Sequence, residues 1–158
     1  MLQAPVSQPD FRWTRPENLH ITIRFLGHVA METAELIAQR VDRSAPRGFA
    51  IQLGDAGVFN RGRLASVVWV GVSDGSEDVS ALATVVEVEC VRAGIEGENR
   101  RFHPHLTLAR ARKRQGAPPT TIHLPELPPW RAQELILYQS HLGRSGPTYE
   151  ALRSISLR

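Results

Sequence analysis

The chain carries one cysteine, Cys90, so no disulfide can form within it, and a fold without such staples suits a reducing compartment. No apolar run approaches the ~20 residues that a membrane helix needs. The N-terminus lacks the basic start and apolar middle of a signal peptide. These absences point to a cytoplasmic protein that does not cross a membrane. Charge is nearly balanced, with 19 Lys and Arg against 16 Asp and Glu, which rules out a chain dominated by one sign. What remains is ordinary globular composition, and 158 residues suit a single domain spanning 1–158.

The apolar pattern gives an order of elements. Glu32 to Ser44 has Ala34, Ile37, Ala38 and Val41 at helical spacing and stops before Pro46. Phe49 to Leu53 alternates as a strand, Gly54 to Leu64 reads as a glycine- and arginine-containing connection, and Ser66 to Val72 is apolar on both faces like an interior strand. Ser73 or Asp74 is placed to cap a second helix. Val79, Leu82, Val86 and Cys90 form the buried stripe of that helix, and Gly94 stops it. Cys90 therefore reads as core packing, not as a nucleophile. Arg112 to Pro129 is proline-rich and irregular, and strands follow from about Glu134 to Ser140 and at the C-terminus. Patterning alone supports an α+β domain.

Two segments carry the chemistry, His20-Ile21-Thr22-Ile23 and His105-Leu106-Thr107-Leu108. On a strand, side chains alternate between faces. Each histidine then shares a surface with the threonine two residues on, while the aliphatic residues face the other way. Two imidazoles suit general acid–base chemistry near neutral pH, because the ordinary histidine pKa of ~6.5 lies close to it. Two hydroxyls can donate to phosphate oxygens as charge grows on them. The four other histidines lack a threonine at this spacing. The spacing itself leaves open which histidine is acid and which is base.

Pro16 to Gly27, reading PENLHITIRFLG, and Phe102 to Arg110, reading FHPHLTLAR, resemble the two signatures of the bacterial and archaeal RNA 2′,3′-cyclic phosphodiesterases. These belong to the 2′-5′ RNA ligase family of two-histidine phosphoesterases. Val68 to Val72 and Gly146 to Leu152 are similar to the family's middle strand and C-terminal segment. The resemblance implies two pseudo-symmetric lobes of antiparallel sheet, helices outside and a central cleft. It implies hydrolysis of RNA or nucleotide 2′,3′-cyclic phosphates to 2′-phosphates, with no cofactor and no metal, and with reverse 2′-5′ ligation possible in the same cleft. In that reading His20 gives a proton to the leaving 3′-oxygen, His105 takes one from water, and Thr22 and Thr107 hold phosphate oxygens. Family members are monomers that begin with a strand and a helix ahead of the first signature. Here only Met1 to Arg12 precede Trp13, so an open strand edge is expected, paired with another chain or covered by the N-terminal tail.

Other residues join the candidate site less directly. Arg24 has the strand parity of His20 and Thr22 and is expected to face the cleft. Arg110 matches a substrate-contacting position of the family, but its parity opposes that of His105, so a bulge or the end of the strand at Ala109 is required to re-aim it. His103 is either a partner that orients His105 or an exposed residue. Phe11, Trp13, Trp130 and Tyr149 are candidates to stack on a base, whereas Trp69 is expected in the core. His28, His123 and His141 read as surface residues. Arginines at 61, 63, 100, 101, 110, 112 and 114 suit a polyanionic partner. Two other classes compete with the enzyme. One is a nucleotide- or RNA-binding module of the same fold that does not turn over. The other is a metalloenzyme using His20, His103 and His105, which has no nearby carboxylate of the right parity to complete its ligands.

Overall fold

The structure is a computed structural model that describes residues 9–118 and 121–158. It is α+β, with two helices, a five-stranded sheet and a two-stranded sheet. The strands are β1 (Phe11–Trp13), β2 (Phe49–Arg61), β3 (Leu64–Asp74), β4 (His105–Ala111), β5 (Trp130–Ala132), β6 (Glu134–Gly143) and β7 (Gly146–Ser156), and the helices are α1 (Met31–Arg43) and α2 (Ser76–Arg92). The larger sheet has the order β1-β4-β3-β2-β5, all neighbours antiparallel, and β6 pairs with β7 as a hairpin.

Two apolar cores hold the layers. The predicted stripes of both helices meet in the first: Ile37, Ala38 and Val41 of α1 pack with Leu82, Val86 and Cys90 of α2 and with Ile155 and Leu157. Cys90 is fully buried, and that burial pushes its thiol pKa up, as expected of a packing residue. Arg153 on β7 reinforces this layer through an ion pair with Glu35 of α1. The second core lines the back of the five-stranded sheet, where Phe11, Ala65, Val68, Val70, Leu108 and Ala109 are buried together. Phe11 is therefore a core residue and is removed from the candidates for base stacking.

Several local expectations are corrected. Gly54 to Leu64 is not a connection: β2 runs to Arg61 and turns into β3 at Gly62 and Arg63. Gly62 has φ +63°, which suits the first central position of a tight hairpin turn. The glycines upstream are absorbed by register shifts near Leu53 and Ala56 instead of ending the strand. Neither Ser73 nor Asp74 caps α2. Gly75 occupies the N-cap with φ +80°, and a side chain there would run into the Ala50 carbonyl, so only glycine fits. The Ser73 hydroxyl instead donates to the Gln52 carbonyl at 3.1 Å.

The largest departure concerns the first signature. His20 to Ile23 forms no regular strand, and the lone bridge of this stretch joins Ile21 to Leu106 of β4. The two sheets are accordingly unequal, five strands against two. Among the described residues, Ile23 to Val29 make no backbone-to-backbone hydrogen bond. Whether the N-terminal tail covers the open edge that the sequence implied lies outside the described residues. Amides without partners exchange by local fluctuation alone. Those of Ile23 to Val29 are expected to exchange well before those of Val68 to Val70 or Leu106 to Ala109, and hydrogen-exchange mass spectrometry would read the difference directly.

Candidate active site

The Ile21–Leu106 bridge sets the register of the two signatures. In an antiparallel pair, directly opposed residues project to the same face. Extending the bridge by one residue each way sets His20 opposite Thr107 and Thr22 opposite His105. All four side chains then share a face, with Ile21 and Leu106 behind them. A local twofold passes through the bridge and exchanges one His-x-Thr motif with the other.

The two histidines are anchored alike, which sequence reasoning did not foresee. His20 Nδ1 lies 2.7 Å from the Asn18 carbonyl, and His105 Nδ1 lies 2.6 Å from the His103 carbonyl. A carbonyl oxygen only accepts, so each Nδ1 carries the proton and donates. In the neutral form this leaves the Nε2 lone pair free for acid–base work. Asn18 has a second task, since its side-chain amide donates to the Pro147 carbonyl at 2.9 Å. It thereby ties the anchor of His20 to the β6–β7 hairpin. The Asn18 side chain had no signal in the sequence beyond its place in the signature.

The surroundings of the two rings differ. Tyr149 of β7 meets the His20 ring edge-on with centroids 4.9 Å apart. His105 stands against Phe59 at 4.9 Å, and Phe59 and His103 in turn pack on the Trp69 indole. Trp69 is thus a half-buried platform on the cleft face and not the core residue expected. It lies over Gly57, where any side chain would collide with the indole. His103 is exposed, packs edge-on against Trp69 and lends its carbonyl to His105. Burial lowers the His105 pKa below the ordinary histidine value, opposed by the His103 carbonyl and assisted by the nearby His103 and Arg110 charges. His28 and His123 are exposed, and His141 reaches Glu150 at 3.2 Å on the surface.

Arg110 reaches the same face through the irregularity that its parity demanded. Val68 pairs with Ala109 and Trp69 with Thr107, so Leu108 is an extra residue in β4. The bulge reverses alternation beyond it. His105, Thr107 and Arg110 therefore oppose Gly71, Trp69 and Val67, which share one face of β3. A cavity of about 1910 Å³ has His20, Thr22, Arg24, Thr107 and Arg110 in its lining, with Trp13, Trp130 and Tyr149 among the aromatics; it reaches the first core at Ile37, Leu82 and Ile155, and His105 stands outside its lining.

Arg24 lines the cavity, as its parity led one to expect, but its guanidinium is held by other groups. Its Nε donates to Glu87 at 2.5 Å, and its terminal nitrogens donate to the carbonyls of Phe25 at 3.0 Å and Glu96 at 2.7 Å. Its charge is engaged by α2 and the loop after it, not directed at a bound phosphate. The Glu98 amide, together with Arg24, holds the Glu87 carboxyl below the usual glutamate range, against an opposing effect of burial.

The fold is α+β, with two helices, a larger antiparallel sheet and a second small sheet. The profile of the 2′-5′ RNA ligase superfamily matches residues 6–144, and the chain belongs to that family. It is 34% identical over 144 residues to an RNA 2′,3′-cyclic phosphodiesterase of Aeropyrum pernix, covering 88% of this chain and 82% of the relative. The corresponding Escherichia coli enzyme is 32% identical over 142 residues, covering 89% and 77%. Among solved structures, E. coli LigT complexed with 3′-AMP superimposes with a TM-score of 0.83 at 31% identity, covering 96% of this chain and 84% of LigT.

Replacing Arg24 with glutamine leaves Glu87 with one partner fewer in a largely enclosed site. The expected cost is on the order of 2 kcal/mol, read as a lower urea midpoint with the slope unchanged. The same variant retains turnover if Arg24 is structural, and a selective loss of turnover at full stability would return it to the substrate.

Proposed function

We propose that this protein hydrolyses the 2′,3′-cyclic phosphate of an RNA end or nucleotide, without a metal, and leaves the phosphate on the 2′-oxygen. The observation that carries the reading is the matched anchoring of His20 and His105, each donating from Nδ1 to the carbonyl two residues before it, on two stretches joined by the Ile21–Leu106 bridge. The names and identities of the relatives support the substrate class.

In this mechanism neutral His105 takes a proton from water through Nε2 as the water oxygen attacks phosphorus. The bond from phosphorus to the 3′-oxygen breaks on the opposite side, and protonated His20 gives that oxygen its proton. Thr22 and Thr107 donate to the non-bridging oxygens, where negative charge increases in the transition state. Burial lowers the His105 pKa, which favours the neutral ring that a base requires. With a ribose 5′-hydroxyl in place of water, the same steps join a cyclic end into a 2′-5′ linkage: His105 takes the hydroxyl proton, the 5′-oxygen bonds to phosphorus, and the 3′-oxygen leaves with a proton from His20. The metalloenzyme alternative is disfavoured by the donor set, since no group of three histidine, cysteine or carboxylate side chains is gathered for a metal among the described residues.

The test is turnover of an RNA oligonucleotide ending in a 2′,3′-cyclic phosphate, in excess EDTA. Wild type should yield a 2′-phosphate, and His20→Ala and His105→Ala should each lose roughly 10²- to 10⁴-fold in kcat. Activity abolished by EDTA and restored by a divalent ion would reinstate the metal. Binding without turnover by folded wild type would mark the non-catalytic module.

The pH profile gives a second check. Protonation of His105 removes the base, so the acid limb of kcat/KM follows its pKa, which lies below the ordinary histidine value. Arg110 is one of the charges that depress it. Arg110→Gln should therefore move the acid limb to higher pH, besides reducing the rate, and an unmoved limb would detach that limb from His105.

A further inference from the structure

Arg12 belongs to no signature, yet the register of β1 and β4 places it directly opposite Arg110. Both residues are exposed and both line the cleft. Their neighbours Phe11 and Ala109 turn the other way, into the core behind the sheet. Cross-strand partners hold their Cβ atoms roughly 5 Å apart, and like charges so placed repel. Among the described residues no carboxylate pairs with either arginine. Residues 1–8, 119 and 120 contain no Asp or Glu at all. Two arginines opposed across the strands with no acidic partner among the described residues can reach one anion together.

The position of the pair along β4 says which anion. The order is His105, Thr107, Arg110, so the arginine pair lies beyond Thr107 on the side away from His105. Thr107 is opposite His20. If His20 protonates the leaving 3′-oxygen, the ribose lies on the His20 side of the phosphorus, and the 5′-oxygen of that ribose extends further from His105. We propose that Arg12 and Arg110 form a second anion subsite, which takes the phosphate on the 5′-oxygen of the nucleotide bearing the cyclic end. The inference rests on the hydrolytic reading for its polarity. It makes the protein selective for an RNA 3′-terminus, or a 5′-phosphorylated nucleotide, over a 5′-hydroxyl cyclic nucleoside phosphate. Arg12 acts in recognition only and touches no reacting atom.

The experiment compares kcat/KM for adenosine 2′,3′-cyclic phosphate with a 5′-hydroxyl, for the same compound with a 5′-phosphate, and for the ApA dinucleotide ending in the cyclic phosphate. A methylphosphonate-linked dinucleotide removes the charge while keeping the length. In wild type the charged 5′-substituents should raise kcat/KM by about tenfold, from one additional charge-assisted contact, and the methylphosphonate should not. Arg12→Gln should bring that ratio close to one, and Arg12→Lys should restore part of it. Equal kcat/KM across the substrates in wild type, or a preference that survives Arg12→Gln, overturns the subsite. Calorimetric binding of adenosine 2′-phosphate and adenosine 2′,5′-bisphosphate separates this inference from the one beneath it. An Arg12-dependent preference for the bisphosphate upholds the subsite even where turnover fails and the hydrolytic reading falls with it. Equal binding of the two by wild type overturns the subsite whatever the turnover.

Discussion

The bridge between Ile21 and Leu106 is the contact on which the site depends. It joins two stretches far apart in the chain and fixes their register, so that each histidine faces the threonine of the other motif. A slip of one residue would turn one whole motif to the opposite face. The bridge is itself slight, one pair in a stretch otherwise without regular pairing, and its hold comes from what surrounds it. Asn18 fastens the incoming chain to the β6–β7 hairpin, and Arg24 fastens the outgoing chain to α2. The segment bearing His20 is thus clamped on either side of the residue that matters.

The two histidines make the same anchoring bond and differ in what packs around them. His105 stands in an aromatic corner of Phe59, His103 and Trp69, with Arg110 near enough to disfavour a second positive charge. His20 meets a tyrosine edge. Acid and base roles require two groups of one type to stand in different surroundings, and the packing around the two rings differs. The Trp69 platform makes the corner possible, and Gly57 makes room for the indole. A fold with a local twofold therefore carries an asymmetric pair.

Much of this was legible in the residues. The helical stripes predicted from spacing are those that fill the first core, and Gly94, with φ +87°, ends α2 where expected. The paired His-x-Thr spacing picked out the two stretches that the Ile21–Leu106 bridge sets side by side. Parity also stated the condition on Arg110, a bulge or a strand end, and the structure supplies the bulge at Leu108. For Arg24 parity gave the face, since the residue lines the cavity, but not the partner, because alternation says nothing of which carboxylate lies within reach of a long side chain. Glycines misled at Gly54 to Leu64, since in a long bent strand they accommodate register shifts as readily as they make turns.

The sequence by itself determined the local chemistry: which residues share a strand face, which helix stripes are apolar, and which two motifs carry imidazole beside hydroxyl. These follow from periods of two and 3.6 residues, properties that a short segment has wherever it lies in a protein. Only the tertiary structure decided that the motifs oppose each other, that Arg110 and Arg12 face the cleft while Arg24 is bound to Glu87, and that His105 is the histidine whose pKa is lowered. Each of those depends on a partner from a distant part of the chain, and no periodicity within a segment encodes the identity of such a partner.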